Sequence, residues 1–159
     1  MLGELIKPEN VYINLESSDK AELFAEMTEG LIALNPAVKR DQIIEGLVKR
    51  EEQLNTCIMK GIAVPHCNLD CITDTLCLVG ISRNGIDYGP MDGTYDESYD
   101  NSLVHLVVMF IFGKSDAQKH LDLLADCARL LHVPGFYKAI TLAKSPQEAC
   151  NIINEYETH

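Results

Sequence analysis

The pairing best suited to chemistry in this sequence is a histidine placed directly behind a proline at the end of an apolar run. In Gly61-Ile-Ala-Val-Pro-His-Cys-Asn-Leu-Asp70, Ile62 to Val64 reads as a short strand, Pro65 ends it, and His66 falls on the first turn beyond. Proline fixes its own backbone, restricts the residue before it and donates nothing to a sheet ladder. His66 is therefore expected at the rim of a sheet, where partners can reach it. An imidazole that titrates near neutrality can serve there as nucleophile, base or ligand. Arg50-Glu51-Glu52 closes a helix just before that strand, and His120 lies in the first turns of a later helix. A guanidinium offers a planar donor fork to phosphate or carboxylate. His105 sits within an apolar strand and reads as a hydrogen-bonded core histidine. His132 and His159 carry no signal.

The six cysteines are Cys57, Cys67, Cys71, Cys77, Cys127 and Cys150. The opening Met-Leu-Gly-Glu-Leu-Ile-Lys-Pro lacks the basic start and apolar core of a signal peptide, so free thiols in a cytoplasmic chain are expected. Cys67-x-x-x-Cys71 beside His66 is the only metal-like cluster, and it lacks the paired spacing of a closed zinc site. No metal or cofactor is expected. A Cys67–His66 nucleophile pair is also disfavoured, because sequence neighbours rarely point at one another.

These side chains need a scaffold, and the pattern supplies one. Val11, Ile13 and Leu15 alternate as a strand does. Asp19 and Glu22 open a helix at capping-box spacing, its buried stripe being Leu23, Phe24, Met27, Leu31 and Leu34. A second helix from about Lys39 to Glu52 turns Ile43, Ile44, Leu47 and Val48 inward. Leu76 to Ile81 is a strand buried on both faces. Arg83-Asn84-Gly85 is a tight turn leading into a short strand, Ile86 to Tyr88. Gly89 to Ser102 is an acidic loop without the ligand pattern of an EF-hand. Leu103 to Phe112 is the most continuously apolar strand and should be central. Ser115 and Gln118 then open a helix with Leu121, Leu124, Ala125, Ala128 and Leu131 inside, stopped by Val133-Pro134-Gly135. Ser145-Pro146-x-Glu148 opens the last helix. The expectation is one α/β domain over residues 1–159, a mixed sheet with helices on both faces.

Of the 159 residues, 47% are hydrophobic and 23% charged, and the net charge is -11. That charge argues against nucleic acid and anionic membrane surfaces. The longest apolar stretch is too short to span a bilayer, so no direct membrane insertion is expected.

Taken in order, Arg50-Glu51, Gly61-Ile-Ala-Val-Pro-His66, Asn84-Gly-Ile-Asp-Tyr88, Asp92-Gly93, Leu103-Val-His-Leu-Val-Val-Met-Phe and His120-Leu-Asp-Leu-Leu-Ala-Asp-Cys-Ala-Arg-Leu-Leu131 resemble one family. It is the enzyme IIA (EIIA) domain of the bacterial phosphoenolpyruvate-dependent sugar phosphotransferase system, fructose–mannitol class. The resemblance covers almost the whole chain, to about residue 155. It implies a phosphotransferase component in which His66 accepts a phosphoryl group from the phosphocarrier HPr. His66 would then pass the group to a cysteine of a IIB subunit, and a membrane IIC subunit would carry the sugar. By the same resemblance, His120 would hydrogen-bond the phosphoryl oxygens or orient His66, and Arg50 would contact phosphate. The family commonly has glycine where this chain has Cys67, and Pro-His-Cys resembles the galactitol-type branch. A nitrogen-type regulatory IIA, acting through phosphorylation-dependent binding, is the alternative. A hydrolase or metal enzyme ranks behind both. The surface around His66 is expected to be apolar, built by Ile62, Ala63, Val64 and Cys67.

Overall fold

Val104 to Phe112 carries eight apolar side chains out of nine, which suits a strand with both faces covered. In the computed structural model, which describes residues 1–89, 103–114 and 117–158, it is strand β6 (Val104–Phe112) in the middle of a six-stranded sheet. The other strands are β1 (Val11–Tyr12), β2 (Cys57–Met59), β3 (Ile62–Ala63), β4 (His66–Asn68) and β5 (Leu76–Ile86). Antiparallel β5 covers one edge of β6, with Cys77 opposite Phe110. Along the other edge run β3 and then β4, both parallel, with Ile62 opposite Leu106 and His66 opposite Phe110. Parallel β1 borders β5, and antiparallel β2 borders β3. The sheet is mixed, as expected.

Alternation of side chains divides its apolar residues between two layers. Val79, Ile81, Leu106, Val108, Phe110 and Phe112 pack with α3 (Ala117–Leu131), α4 (Phe136–Thr141) and α5 (Pro146–Glu157). Leu78, Val107, Met109 and Ile111 pack with α1 (Lys20–Leu34) and α2 (Arg40–Gln53). No helix among the described residues is long and apolar enough to cross a membrane. Pro90 to Ser102, with Asp92-Gly93, and also Ser115 and His159 lie outside the described residues.

Several local expectations need correction. The first strand stops at Tyr12, although Leu15 N–H still reaches the Ile81 carbonyl at 3.0 Å. Arg83-Asn84-Gly85 does not separate two strands. β5 runs through it with a register shift, and the extra length is absorbed where Gly85 takes φ +88° and donates to Ser82 Oγ at 2.9 Å. Val48 is exposed, leaving Ile43 and Leu47 as the buried pair of α2. The buried stripe of α3 is Cys127, Leu130 and Leu131, while Leu121 is 59% exposed. The short helix α4 was not anticipated, because two turns carry too little periodicity to read.

Helix caps are as expected where they can be seen. Asp19 accepts the Glu22 N–H at 2.8 Å, and Ser145 accepts the Glu148 N–H at 3.0 Å behind Pro146. Because Ser145 satisfies an end of α5 that water would otherwise have to serve, Ser145→Ala should cost about 1 kcal/mol of stability. Urea unfolding of the two proteins checks this. No change in midpoint would mean that the cap carries nothing.

Candidate active site

His66 does not sit on a turn. Pro65 has no N–H to give, but its carbonyl accepts the Phe110 N–H at 3.0 Å, and the chain re-enters the sheet at once as β4. In a strand, neighbouring side chains point to opposite faces. Cys67 is therefore buried against α2, while His66 is half-buried and Asn68 exposed. The His66 ring is oriented from behind, where Nδ1 lies 3.0 Å from the Val64 carbonyl oxygen. A carbonyl can only accept, so Nδ1 carries the proton and Nε2 carries the lone pair.

Phe112 is the group that relates the two histidines. Its ring meets His66 edge-on at 5.9 Å between centroids and stacks on His120 at 4.4 Å and 18°. Phe110 stacks behind it at 5.4 Å. His66 and His120 thus flank a single phenyl group, although 54 positions apart in the chain. His120 belongs to the first turns of α3, the end of a helix that favours negative charge.

Arg50, in the last turn of α2, donates from Nη1 to the Leu54 carbonyl at 2.8 Å. Its charge is felt at His66. Burial chiefly lowers the His66 pKa, and Arg50 lowers it further, while the Val64 hydrogen bond and the charge of Glu51 act the other way. The net direction is down, so the imidazole is neutral at pH 7. Glu51 beside Arg50 is a buried carboxylate held by Lys20, Thr56 and Tyr88. Sequence reading assigned no role to Glu51 or Phe112. The available signal for Glu51 was a charged residue within a helix face that meets the core.

A family model for the phosphoenolpyruvate-dependent sugar phosphotransferase system, EIIA 2, matches residues 4–156. The chain belongs to this EIIA family. It is 29% identical over 156 residues to the fructose-specific EIIABC component of Bacillus subtilis, covering 98% of this chain. The match takes in only 23% of that longer protein. The fold is that of the nitrogen regulatory protein IIA-Ntr of Neisseria meningitidis, with TM-score 0.81 at 18% identity over 96% of this chain and 98% of that one. It is also that of the Escherichia coli enzyme IIAMTL in its complex with phosphorylated enzyme IIBMTL, with TM-score 0.72 at 15% identity over 94% and 97%.

Within this EIIA chain, Cys67 takes an ordinary strand conformation, since no residue other than glycine has positive φ among those described. Its thiol points toward the Ile43 carbonyl at 3.9 Å, and a Cβ added at Gly46 would come within 2.9 Å of the Cys67 Cβ. Gly46 on α2 therefore makes room for Cys67. Burial pushes the thiol pKa up to about 12, so Cys67 is no nucleophile at neutral pH. Cys71 lies apart, its thiol 3.7 Å from Gln42 Oε1. Ile62, Ala63, Val64 and Cys67 are all buried, which corrects the expectation that they form the surface around His66. Exposed apolar side chains close to the site residues in sequence are Val48 and Leu54 on either side of Arg50, Ile58, and Leu121 next to His120. His105 is hydrogen-bonded as expected, with Nδ1 2.7 Å from the Ser82 carbonyl oxygen, but it is half-buried rather than part of the core.

Proposed function

We propose that this EIIA chain is a phosphohistidine carrier, accepting a phosphoryl group from HPr on His66 and donating it to a IIB subunit. The observation that carries the reading is the hydrogen bond from His66 Nδ1–H to Val64, which leaves Nε2 as the nucleophilic nitrogen. In the forward step the Nε2 lone pair attacks phosphorus, and the bond between phosphorus and the donor nitrogen of HPr breaks with its electron pair. In the onward step a IIB cysteine thiolate attacks, and Nε2 recovers its lone pair. Such transfers depend on alignment and charge stabilisation. Arg50 would supply a fixed cation, and His120 a donor held parallel to Phe112. Residues 1–159 act in this reading as one EIIA unit in the cytoplasm. HPr and IIB use the same face in turn, and a IIC membrane subunit alone selects the sugar. Pro65-His66-Cys67 supports a galactitol-type branch, in which Cys67 fills space against Gly46.

The test is incubation of the chain with phosphoenolpyruvate, enzyme I and HPr, followed by addition of a galactitol-type IIB. Labelled phosphate should appear on the chain and then move to IIB. Acceptance without onward transfer to any sugar-type IIB would favour the nitrogen-type regulatory reading, and direct binding of sugar to the chain by calorimetry would contradict the carrier reading. A pH profile adds a second check. Because burial lowers the His66 pKa below the ordinary imidazole value of 6.5, the neutral, nucleophilic form persists as pH falls past that value. The acid limb of the acceptance rate should therefore lie below pH 6.5. An acid limb above it would mean that the desolvation of His66 is not felt in the reaction.

A further inference from the structure

Glu51 has a side chain only 6% exposed, and direct contact with a phosphoryl group would not call for a buried carboxylate. Both of its oxygens are occupied. Oε2 accepts from Lys20 Nζ and from the Thr56 N–H, each at 3.1 Å. Oε1 accepts from Tyr88 OH at 2.6 Å and from the Thr56 hydroxyl. Lys20 Nζ also lies 4.4 Å above the Tyr88 ring. These partners come from α1, from the segment entering β2 and from the segment that follows β5. A buried carboxylate so fully satisfied is held in one place, and it holds its partners.

Thr56 is the partner with consequences. Its N–H and hydroxyl are both bound by Glu51, and its carbonyl accepts the Val64 N–H at 2.9 Å. The Val64 carbonyl is the group that His66 Nδ1 reaches at 3.0 Å. Beyond it, Pro65 is pinned to Phe110 through its carbonyl. We infer that Glu51 is a positioning residue for His66, acting through Thr56 and Val64 to hold the ring in the tautomer that presents Nε2. The carboxylate anchors Thr56, Thr56 sets the Val64 peptide, and Val64 sets the imidazole. Among the described residues, the charged and titratable groups that act on or adjoin His66 are Arg50 and Glu51 from α2, with His120 of α3 on the shared Phe112 ring. Glu51 opposes Arg50 there, supporting the proton on His66 that Arg50 disfavours.

The kinetic part of this inference rests on the carrier reading, whereas the tautomer part does not. The experiment is NMR of the full chain labelled with ¹⁵N in its histidine rings, unphosphorylated, over a pH series. In the wild type, above the His66 midpoint, Nδ1 should be protonated and Nε2 bare. In Glu51→Gln, which keeps the shape but turns half of the acceptor into a donor, the Nδ1–H to Nε2–H ratio should fall about fivefold, the worth of one ordinary hydrogen bond. The His66 midpoint should also move down, because the negative charge is gone. Thr56→Ser, which restores both donors to Glu51, should behave as the wild type. The rate constant for phosphoryl acceptance should drop about tenfold in Glu51→Gln, with the KM for phosphorylated HPr unchanged, as loss of alignment without loss of docking predicts. If Glu51→Gln does not fold, Tyr88→Phe removes one donor more gently and should move the ratio in the same direction. A wild-type tautomer ratio and midpoint in whichever of these two variants folds would overturn the inference, leaving Glu51 a purely structural residue. Failure of the wild type to accept phosphate would remove the carrier reading, and the tautomer ratio would still decide the role of Glu51.

Discussion

Replacing His66 with alanine should abolish phosphorylation by HPr entirely, with the fold retained. The loss is total because the accepting atom is removed. The neighbouring thiol is not placed to take over. Cys67 is adjacent in sequence but faces α2 with its thiol held protonated. The Phe112 ring meets both imidazoles, edge-on to His66 and stacked on His120. The fold should survive, because His66 is only half-buried and β4 is secured by its own backbone pairing with Phe110 to Phe112. The check is label incorporation from phosphoenolpyruvate, with circular dichroism on the same sample. Residual stoichiometric labelling of a folded His66→Ala protein would place the acceptor elsewhere.

His120→Ala should act differently. The accepting nitrogen of His66 remains, so phosphorylation still occurs, but onward transfer to IIB should slow by about a hundredfold. That is the typical consequence of removing one preorganised donor, a few kcal/mol in the transition state. The His120 ring is preorganised by its stacking on Phe112, so the donor is oriented before the phosphoryl group arrives. Single-turnover transfer from the phosphorylated chain to IIB measures this step by itself. Loss of acceptance as complete as in His66→Ala would show that His120 takes part in the first step as an essential group.

The main plan of the molecule was readable where patterns are long. β6 is continuously apolar and central, and α1 buries Leu23, Phe24, Met27 and Leu31 as expected between its cap and Asn35-Pro36, while Leu34 in its last turn is exposed. Short-range arguments failed where a tertiary partner changed the outcome. Pro65 ended β3 as expected, yet the open edge of β6 offered His66 to Asn68 a second ladder, so the predicted turn is a strand. Gly85 reads as a turn because it needs positive φ, and a bulge meets the same need without breaking β5. On α3 the exposed Leu121 follows an apolar phase that the sheet does not use. His66, His120 and Arg50 were proposed from residue type, order and family resemblance, and the structure puts both imidazoles against Phe112 and the Arg50 charge within influence of His66. Phe112 and Glu51 were not, because what distinguishes them is contact across elements. A phenylalanine in an apolar strand reads as core, and although Glu51 continues the Ile43–Leu47 face of α2, its contacts with Lys20, Thr56 and Tyr88 join elements that no local pattern relates.

The central claim is that this EIIA chain carries a phosphoryl group on Nε2 of His66. The most direct measurement is phosphorus–nitrogen coupling in the ring-labelled protein after treatment with phosphoenolpyruvate, enzyme I and HPr. The account predicts one phosphorus atom bound to Nε2 of His66, with Nδ1 still protonated and bonded to the Val64 carbonyl. Phosphorus on Nδ1, on another residue, or on none would contradict it.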